Sequence, residues 1–233
     1  MPGRKIRGAK QKLPPFWRRV SRSEAERNRE LREGEAIDSI ERVNTGRRGI
    51  WPCFRTPLNT IEERLGVNIT GLVRALIEKN MPLFIEKRGG KSPVKILDLG
   101  CGSGAALAQL KWAFGTGVKT TGIVEERTPN EVYSGVGRLL VGNMLRLQPG
   151  EKYEVIFSHK GAVYHTPLQA TAVERVIGWL KLGGTAALEM KHVFTEGNPV
   201  VQEVLTVLAQ NGIKDWKYIG NMLVFRKPVP RIP

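Results

Sequence analysis

Short apolar segments that are typical of buried strands alternate with helix-like segments along most of this 233-residue chain. The strand-like segments are 94–99, 119–124, 139–141, 153–158 and 185–190, and the helix-like segments among them are 105–114, 168–182 and 200–210. Such alternation favours a parallel sheet that is covered by helices on both faces. Two further segments, 213–219 and 222–226, are separated only by Gly220 and Asn221, which predicts an antiparallel hairpin. The sequence therefore predicts an α/β fold with a mostly parallel sheet that ends in a C-terminal antiparallel hairpin.

The first 60 residues do not share this alternation, so we expect a basic N-terminal extension over 1–60 and one folded domain over 61–233. Residues 1–22 contain eight Lys and Arg and no Asp or Glu. Residues 23–43 mix both charges and predict an exposed helix interrupted near Gly34. Residues 44–60 are rich in Gly and Pro and predict a loop, whereas Leu72, Val73, Leu76 and Ile77 recur at helical spacing from Thr70 to Asn80.

The charge of the chain points to a polyanionic partner. The net charge is +15, and residues 1–22 supply +8 of it. We interpret this segment as an arm that contacts RNA or a ribosomal particle, with an organellar targeting segment or a solubilising tail as the alternatives. The chain has two cysteines and no apolar run long enough for a membrane span, so we expect no membrane partner and a reducing compartment. The cytoplasm is expected, with the mitochondrial matrix as the alternative.

A glycine-rich loop follows the first predicted strand and precedes a helix. It contains Asp98, Gly100, Gly102 and Gly104 in the sequence DLGCGSG. Glycines let a backbone turn sharply and approach a ligand closely, and the helix that follows offers its positive end. This arrangement predicts a nucleotide-like ligand. The spacing alone is compatible with a nicotinamide cofactor and with S-adenosylmethionine.

The pattern Asp98-x-Gly100-x-Gly102-x-Gly104 resembles motif I of the class I S-adenosylmethionine-dependent methyltransferases. The order of elements from about 70 to 227 is similar to the Rossmann-like, seven-stranded sheet of that family. The resemblance implies S-adenosyl-L-methionine as cofactor and no metal. It also implies a set of cofactor-binding residues, which are Asp98, Gly100, Cys101, Gly102, Gly104, Glu125, Asn143 and Ser158.

Two members of this set have roles that the resemblance assigns individually. Glu125, or else Glu126, matches the acid after the second strand that holds the ribose hydroxyls. Asn143 matches the residue after the third strand that recognises adenine. The family usually has Asp at that position, but an amide oxygen also accepts a hydrogen bond from the adenine amino group.

The residues after the fourth and fifth strands bear on the methyl acceptor. The chain lacks the Asn/Asp-Pro-Pro-aromatic motif of exocyclic-nitrogen methylation and the Pro-Cys nucleophile of cytosine C5 enzymes. Lys191 matches one member of the Lys-Asp-Lys-Glu tetrad of ribose methyltransferases, but His159 stands where that tetrad has Asp. We predict His159 and Lys191 as catalytic residues, with His165 as another candidate base.

The predicted function is S-adenosylmethionine-dependent methylation of ribosomal or other structured RNA. Two alternatives remain open at this point. One is a small-molecule O- or N-methyltransferase, and the other is a non-catalytic component of a ribonucleoprotein.

Overall fold

The computed structural model describes residues 57–79, 92–126, 136–195 and 197–230. These residues lie in one compact unit, Pro52–Pro233. The basic arm 1–22, the expected helix 23–43 and most of the expected loop 44–60 lie outside the described residues.

The described residues form seven strands and six α-helices. The strands are β1 (Val94–Leu99), β2 (Val118–Val124), β3 (Arg138–Val141), β4 (Tyr153–Ser158), β5 (Leu180–Glu189), β6 (Trp216–Ile219) and β7 (Met222–Arg226). The helices are α1 (Leu58–Leu65), α2 (Ile69–Lys79), α3 (Ala105–Phe114), α4 (Ala162–His165), α5 (Gln169–Trp179) and α6 (Pro199–Gln210).

The seven strands form a single sheet in the order β3-β2-β1-β4-β5-β7-β6. The pairs among β1 to β5 are parallel, whereas β7 runs antiparallel to both β5 and β6. This confirms the predicted Rossmann-like sheet and its terminal hairpin. Because the order reverses direction between β1 and β4, the loops after these two strands lie side by side at the carboxyl edge of the sheet.

Helices cover both faces of the sheet. Successive side chains of a strand point to opposite faces, so β1 contributes Val94 and Ile96 to one core and Leu97 and Leu99 to the other. The first core contains the buried side chains of α1, α2 and α3. On the other side, α5 and α6 pack against each other. No helix within the described ranges is long and apolar enough to cross a membrane.

Two segments differ from the prediction. The expected helix 168–182 ends at Trp179, and the next strand begins at Leu180 rather than at 185. Backbone pairing with neighbouring strands overrides the apolar periodicity there, since Tyr153 pairs with Leu180 and the N–H of Gly183 donates to the carbonyl of Lys227. The expected loop 44–60 is also wrong at its end, because α1 begins at Leu58 after Pro57 and buries Leu58, Ile61 and Leu65.

The loops after β1 and β4 touch through two glycines. A Cβ on Gly100 would lie 2.5 Å from the Cα of Gly161, and a Cβ on Gly161 would lie 1.8 Å from the carbonyl oxygen of Leu99. The hydroxyl of Ser158 donates to the same Leu99 oxygen at 2.8 Å. Glycine is therefore required at both positions for the two strand ends to meet.

Replacing Gly161 by Ala tests this close approach. Residue 161 has an ordinary φ of −95°, so the added methyl group acts by steric overlap rather than by backbone strain. We expect the Gly161→Ala substitution to lower the free energy of unfolding by about 3 kcal/mol, the upper end of the range for over-packed sites. Urea unfolding measures this change.

Gly178 provides the matched control. It lies in the last turn of α5, and a Cβ there would meet nothing within 4 Å. Gly178→Ala should raise the free energy of unfolding by about 0.5 to 1 kcal/mol. Equal urea midpoints for Gly161→Ala and the unsubstituted protein would contradict the steric account.

Candidate functional site

The glycine loop turns sharply from the end of β1 into α3. Gly100, Gly102 and Gly104 have φ values of 89°, 53° and 80°, in the left-handed region that favours glycine. The N–H groups of Gly100 and Cys101 both donate to the carbonyl of Ile123, at 2.9 and 3.1 Å, which anchors the start of the loop on β2. Gly104 directly precedes α3, so the positive end of that helix faces the carboxyl edge of the sheet.

Cys101 fills a space that Gly122 leaves open. A Cβ on Gly122 of β2 would lie 2.4 Å from the sulfur of Cys101. The cysteine is buried, with 7% of its surface exposed. The Cys101 side chain therefore packs between the glycine loop and β2.

Asp98 carries a buried carboxyl group next to this loop. It lies on β1 two residues before Gly100 and is 4% exposed. Burial raises the pKa of Asp98 to about 8. A cationic group placed beside this carboxylate would favour its ionised form, because an opposite charge offsets the cost of desolvation. The described residues therefore fit a ligand that brings positive charge to the loop.

The other predicted cofactor-binding residues also lie at the carboxyl edge of the sheet. Glu125 is exposed directly after β2. Asn143 is half-buried two residues after β3, and its side-chain oxygen accepts from the N–H of Leu145 at 2.9 Å. That bond stabilises a turn and leaves a second lone pair on the oxygen. Ser158 is fully buried, and its hydroxyl is used in the bond to Leu99.

His159 occupies a confined position after β4. Its side chain is 6% exposed, and its Nε2 lies 3.6 Å from Oε2 of Glu189 and 3.5 Å from a guanidinium nitrogen of Arg64. Burial lowers the pKa of His159; the charge of Glu189 opposes this shift, and the charge of Arg64 adds to it. The imidazole is therefore held neutral between an anion and a cation.

The sequence analysis did not predict Glu189 as a site residue, although its carboxylate connects three parts of the site. This buried residue at the end of β5 accepts from the backbone N–H of Lys160 at 3.0 Å and from the side chain of Asn221 at 3.1 Å. It also faces His159. An acidic residue among apolar ones in Leu188-Glu189-Met190 was the available signal, since an acid is rarely buried without partners.

Lys160 adopts a left-handed backbone conformation with φ of 44°, which is uncommon for a residue other than glycine. Its N–H bond to Glu189 holds it there. Such conformations are concentrated at functional sites, where the surrounding structure compensates for their cost of about 1 to 3 kcal/mol. The strained residue directly follows His159, which marks this loop as a candidate part of the active site.

Lys191 and His165 are placed differently from His159. Both are exposed, Lys191 two residues after β5 and His165 at the end of α4, where its ring contacts that of Tyr164 edge-on. His159, in contrast, lies against the buried carboxylate of Glu189. Across the part of the chain that the structure describes, no group of three or more His, Cys, Asp or Glu side chains is arranged to hold a metal ion.

The pH dependence of stability tests the state of Asp98. Because its pKa is raised in the folded protein, the native state holds a proton that the unfolded chain releases above about pH 4. The contribution of protonated Asp98 to the free energy of unfolding is fully present below pH 4 and is lost as the pH rises through about 8. Between pH 5 and 7 we expect the protein to lose about 1.4 kcal/mol per pH unit through Asp98, a loss absent from Asp98→Asn.

Urea unfolding at several pH values checks this expectation. Asp215→Asn, at an exposed position, is the matched control and should keep the slope of the unsubstituted protein. Parallel pH profiles for Asp98→Asn and the unsubstituted protein would show that Asp98 does not titrate in this range.

No protein-family model matches the sequence, and no curated protein does. Among solved structures, the chain is similar to a sugar N-methyltransferase from Streptoalloteichus, with 14% identity and a TM-score of 0.47 over 68% of this chain and 86% of the other. It is also similar to a Listeria monocytogenes protein described as a class I S-adenosylmethionine-dependent methyltransferase, with 14% identity and a TM-score of 0.47 over 88% and 70% of the two chains. A third similar structure is a cyclase, with 16% identity and a TM-score of 0.42 over 69% and 81%.

Since these identities are below 25% and the TM-scores below 0.5, the assignment of the fold rests on the molecule itself. The strand order, the antiparallel β7 and the loop of left-handed glycines after β1 agree with what the motif I resemblance implies. The chain has the fold and the glycine-loop motif of the class I S-adenosylmethionine-dependent methyltransferases.

Proposed function

We propose that the protein is an S-adenosylmethionine-dependent methyltransferase that acts on RNA. The observation that carries the proposal of methyl transfer is the buried carboxylate of Asp98 beneath the loop Gly100–Gly104, at the point where the sheet changes direction. Open α/β sheets bind their ligands at this point. A raised pKa at Asp98 suits a cofactor that carries positive charge, as S-adenosylmethionine does on its sulfonium and ammonium groups.

The carboxyl edge offers residues for each part of the cofactor. Asp98 and the glycine loop would hold the methionine part, Glu125 the ribose hydroxyls, and Asn143 the adenine. When bound, S-adenosylmethionine supplies an electrophilic methyl group. Ser158 supports this arrangement from behind, because its hydroxyl ties the end of β4 to the end of β1 beneath the loop.

His159 is placed to act as a general base on the acceptor. In the tautomer that carries its proton on Nδ1, the Nε2 of His159 presents a lone pair 3.5 Å from the guanidinium of Arg64, which has only donors. An acceptor hydroxyl that replaced Arg64 at Nε2 would transfer its proton there. The imidazolium that forms would then face the carboxylate of Glu189, 3.6 Å away, which stabilises its charge. In this scheme Glu189 is a positioning residue, and Lys191 lies at the exposed rim.

The positive charge of residues 1–22 supports RNA as the acceptor. The eight cationic side chains of residues 1–22, with no acidic residue among them, form a segment suited to successive phosphates. Phosphate contacts position an RNA without reading its sequence, so the choice of the methylated atom would fall to the site around His159. A small-molecule acceptor would leave this charge without a role.

Incubation with methyl-labelled S-adenosylmethionine tests both parts of the proposal. We expect label in total RNA and none in a small-molecule extract. Deletion of residues 1–22 should lower RNA affinity and flatten its dependence on log salt by about 0.7 for each phosphate that is no longer neutralised, without changing cofactor affinity. Gly102→Val, which puts a branched side chain at a left-handed position of the loop, should abolish both cofactor binding and labelling.

Other outcomes would change the proposal in different ways. Label in the small-molecule extract alone would replace RNA as acceptor. Cofactor binding without label in either pool would favour the non-catalytic alternative, and failure of the full chain to bind S-adenosylmethionine would contradict the methyltransferase proposal itself.

The pH profile of methylation tests the role of His159. His159→Ala should lower kcat about 100- to 10,000-fold and affect cofactor affinity much less. In the unsubstituted protein, activity should fall on acidification only below the lowered pKa of His159, as the base becomes protonated. Glu189→Gln removes a charge that raises this pKa, so it should shift the acidic limb to lower pH and reduce kcat about 10- to 100-fold.

A purely structural role of Glu189 would reduce activity without moving the acidic limb. If His165→Ala causes the loss of kcat and His159→Ala does not, the base is His165. If neither substitution slows methylation, the reaction proceeds by positioning alone.

A further inference from the structure

The net positive charge of the described residues is concentrated at the amino edge of the sheet, opposite the candidate active site. These residues include 17 Lys and Arg and 12 Asp and Glu. Ten of the 17 basic residues lie where β1 to β6 begin, where β7 ends or in the last turn of α3, against three acids, Glu151, Glu154 and Asp215. This edge therefore has a net charge of +7, whereas the other described residues together have −2.

The antiparallel course of β7 contributes to this distribution. Its last residue, Arg226, pairs with Thr185 and thereby returns to the same edge as the starts of the parallel strands. Six exposed cations follow the edge along the sheet, and they define what we call the amino-edge surface: Arg138, Lys119, Lys152, Arg226, Lys217 and Lys214. The seven strands span about 29 Å, six spacings of about 4.8 Å each.

Local structural roles account for only part of this charge. Glu151 pairs with Lys95 at 2.7 Å and with Lys119 at 3.1 Å, and Glu154 pairs with Lys181. Several other cations donate to neutral backbone carbonyls and so keep their full charge. Lys111 donates to Val118, and Lys227 donates to Ile177 and Leu180. The charge of Lys152 also adds to burial in lowering the pKa of Lys227, as expected where cations lie close together.

An exposed aromatic side chain directly follows one of the ten amino-edge cations, Lys111, in the sequence. Trp112, in the last turn of α3 next to Lys111, is 90% exposed, more than any other large apolar side chain in the described ranges. Exposing an indole to water in this way is unfavourable unless a partner covers it. A row of cations with a free aromatic face is the combination that binds single-stranded nucleic acid, through phosphate contacts and base stacking.

We propose that the amino-edge surface and Trp112 form a second RNA-binding site, which holds a single-stranded segment of the RNA whose methylated nucleotide lies at the opposite edge. The proposal rests on the RNA acceptor of the proposed function. An acidic protein segment would satisfy the cations but would gain little from a stacking platform, so the tryptophan favours RNA. The strands separate the two edges by about 20 Å, so one folded RNA can reach both.

Binding of a fluorescein-labelled single-stranded oligoribonucleotide to the full chain, measured by anisotropy over a range of salt, tests the site. Trp112→Ala should weaken binding about 5- to 150-fold, the range for removal of one base–aromatic stack. The double substitution Lys214→Gln and Lys217→Gln, at two exposed cations of this surface, should flatten the slope of log affinity against log salt by about 1.4, or 0.7 for each phosphate that is no longer neutralised.

A matched control removes two charges elsewhere. Arg74→Gln with Arg175→Gln changes the net charge equally, and these two residues lie on α2 and α5 and do not belong to the amino-edge surface. This control should keep the salt slope of the unsubstituted protein. Equal slopes for the two double variants, or unchanged affinity in Trp112→Ala, would overturn the proposal. Competition by polyglutamate as effective as that by polyuridylate would also overturn it and would indicate an acidic protein partner.

The assay is independent of methyl transfer, so the two proposals fail separately. If RNA is labelled while the amino-edge variants bind like the control, only the second site is wrong. If the variants bind more weakly as expected but RNA is never labelled, the RNA-binding site stands and the RNA acceptor is wrong.

Discussion

The carbonyl oxygen of Leu99 is the point on which the arrangement of the site depends. It accepts the hydroxyl of Ser158 from β4, and it lies so close to Gly161 that no side chain fits between them. Two loops that are far apart in sequence are thereby held together at the carboxyl edge. As a result, the buried carboxyl group of Asp98 and the imidazole of His159 lie at the same edge, one beside the glycine loop and the other against Glu189.

Glu189 organises the region around His159 in a comparable way. Its carboxylate holds the strained backbone of Lys160, the amide of Asn221 and the ring of His159, which come from three separate parts of the chain. Burying a charge is costly unless it is paired and hydrogen-bonded, and these partners offset that cost. Asp98 differs, because burial is the dominant influence on its pKa. The site thus combines a carboxylate whose partners lie within the protein with a carboxyl group whose pKa is raised by burial.

Local patterns predicted the strands, most helices, the hairpin at Gly220 and the glycine loop, because each depends on neighbours in sequence. Long-range contacts decided what was missed. The helix expected to reach Leu182 ends at Trp179 because Leu180 pairs with Tyr153. The partnership of Glu189 with His159 depends on two strands, β4 and β5, lying side by side, which no spacing in the sequence encodes. The positions of Glu125, Asn143 and Lys191 follow from the strand order, but their contacts with cofactor or acceptor remain predictions.

The fit between Cys101 and Gly122 has a consequence for how this protein and its relatives can vary. The cysteine side chain occupies the volume that a Cβ at position 122 would need. The two positions therefore share a single space, and enlargement of one requires reduction of the other. Among homologous sequences, residue size at 101 and 122 should be anticorrelated. A pair of large residues there would push the glycine loop away from β2 and misplace the cofactor loop without altering any residue expected to touch the ligand.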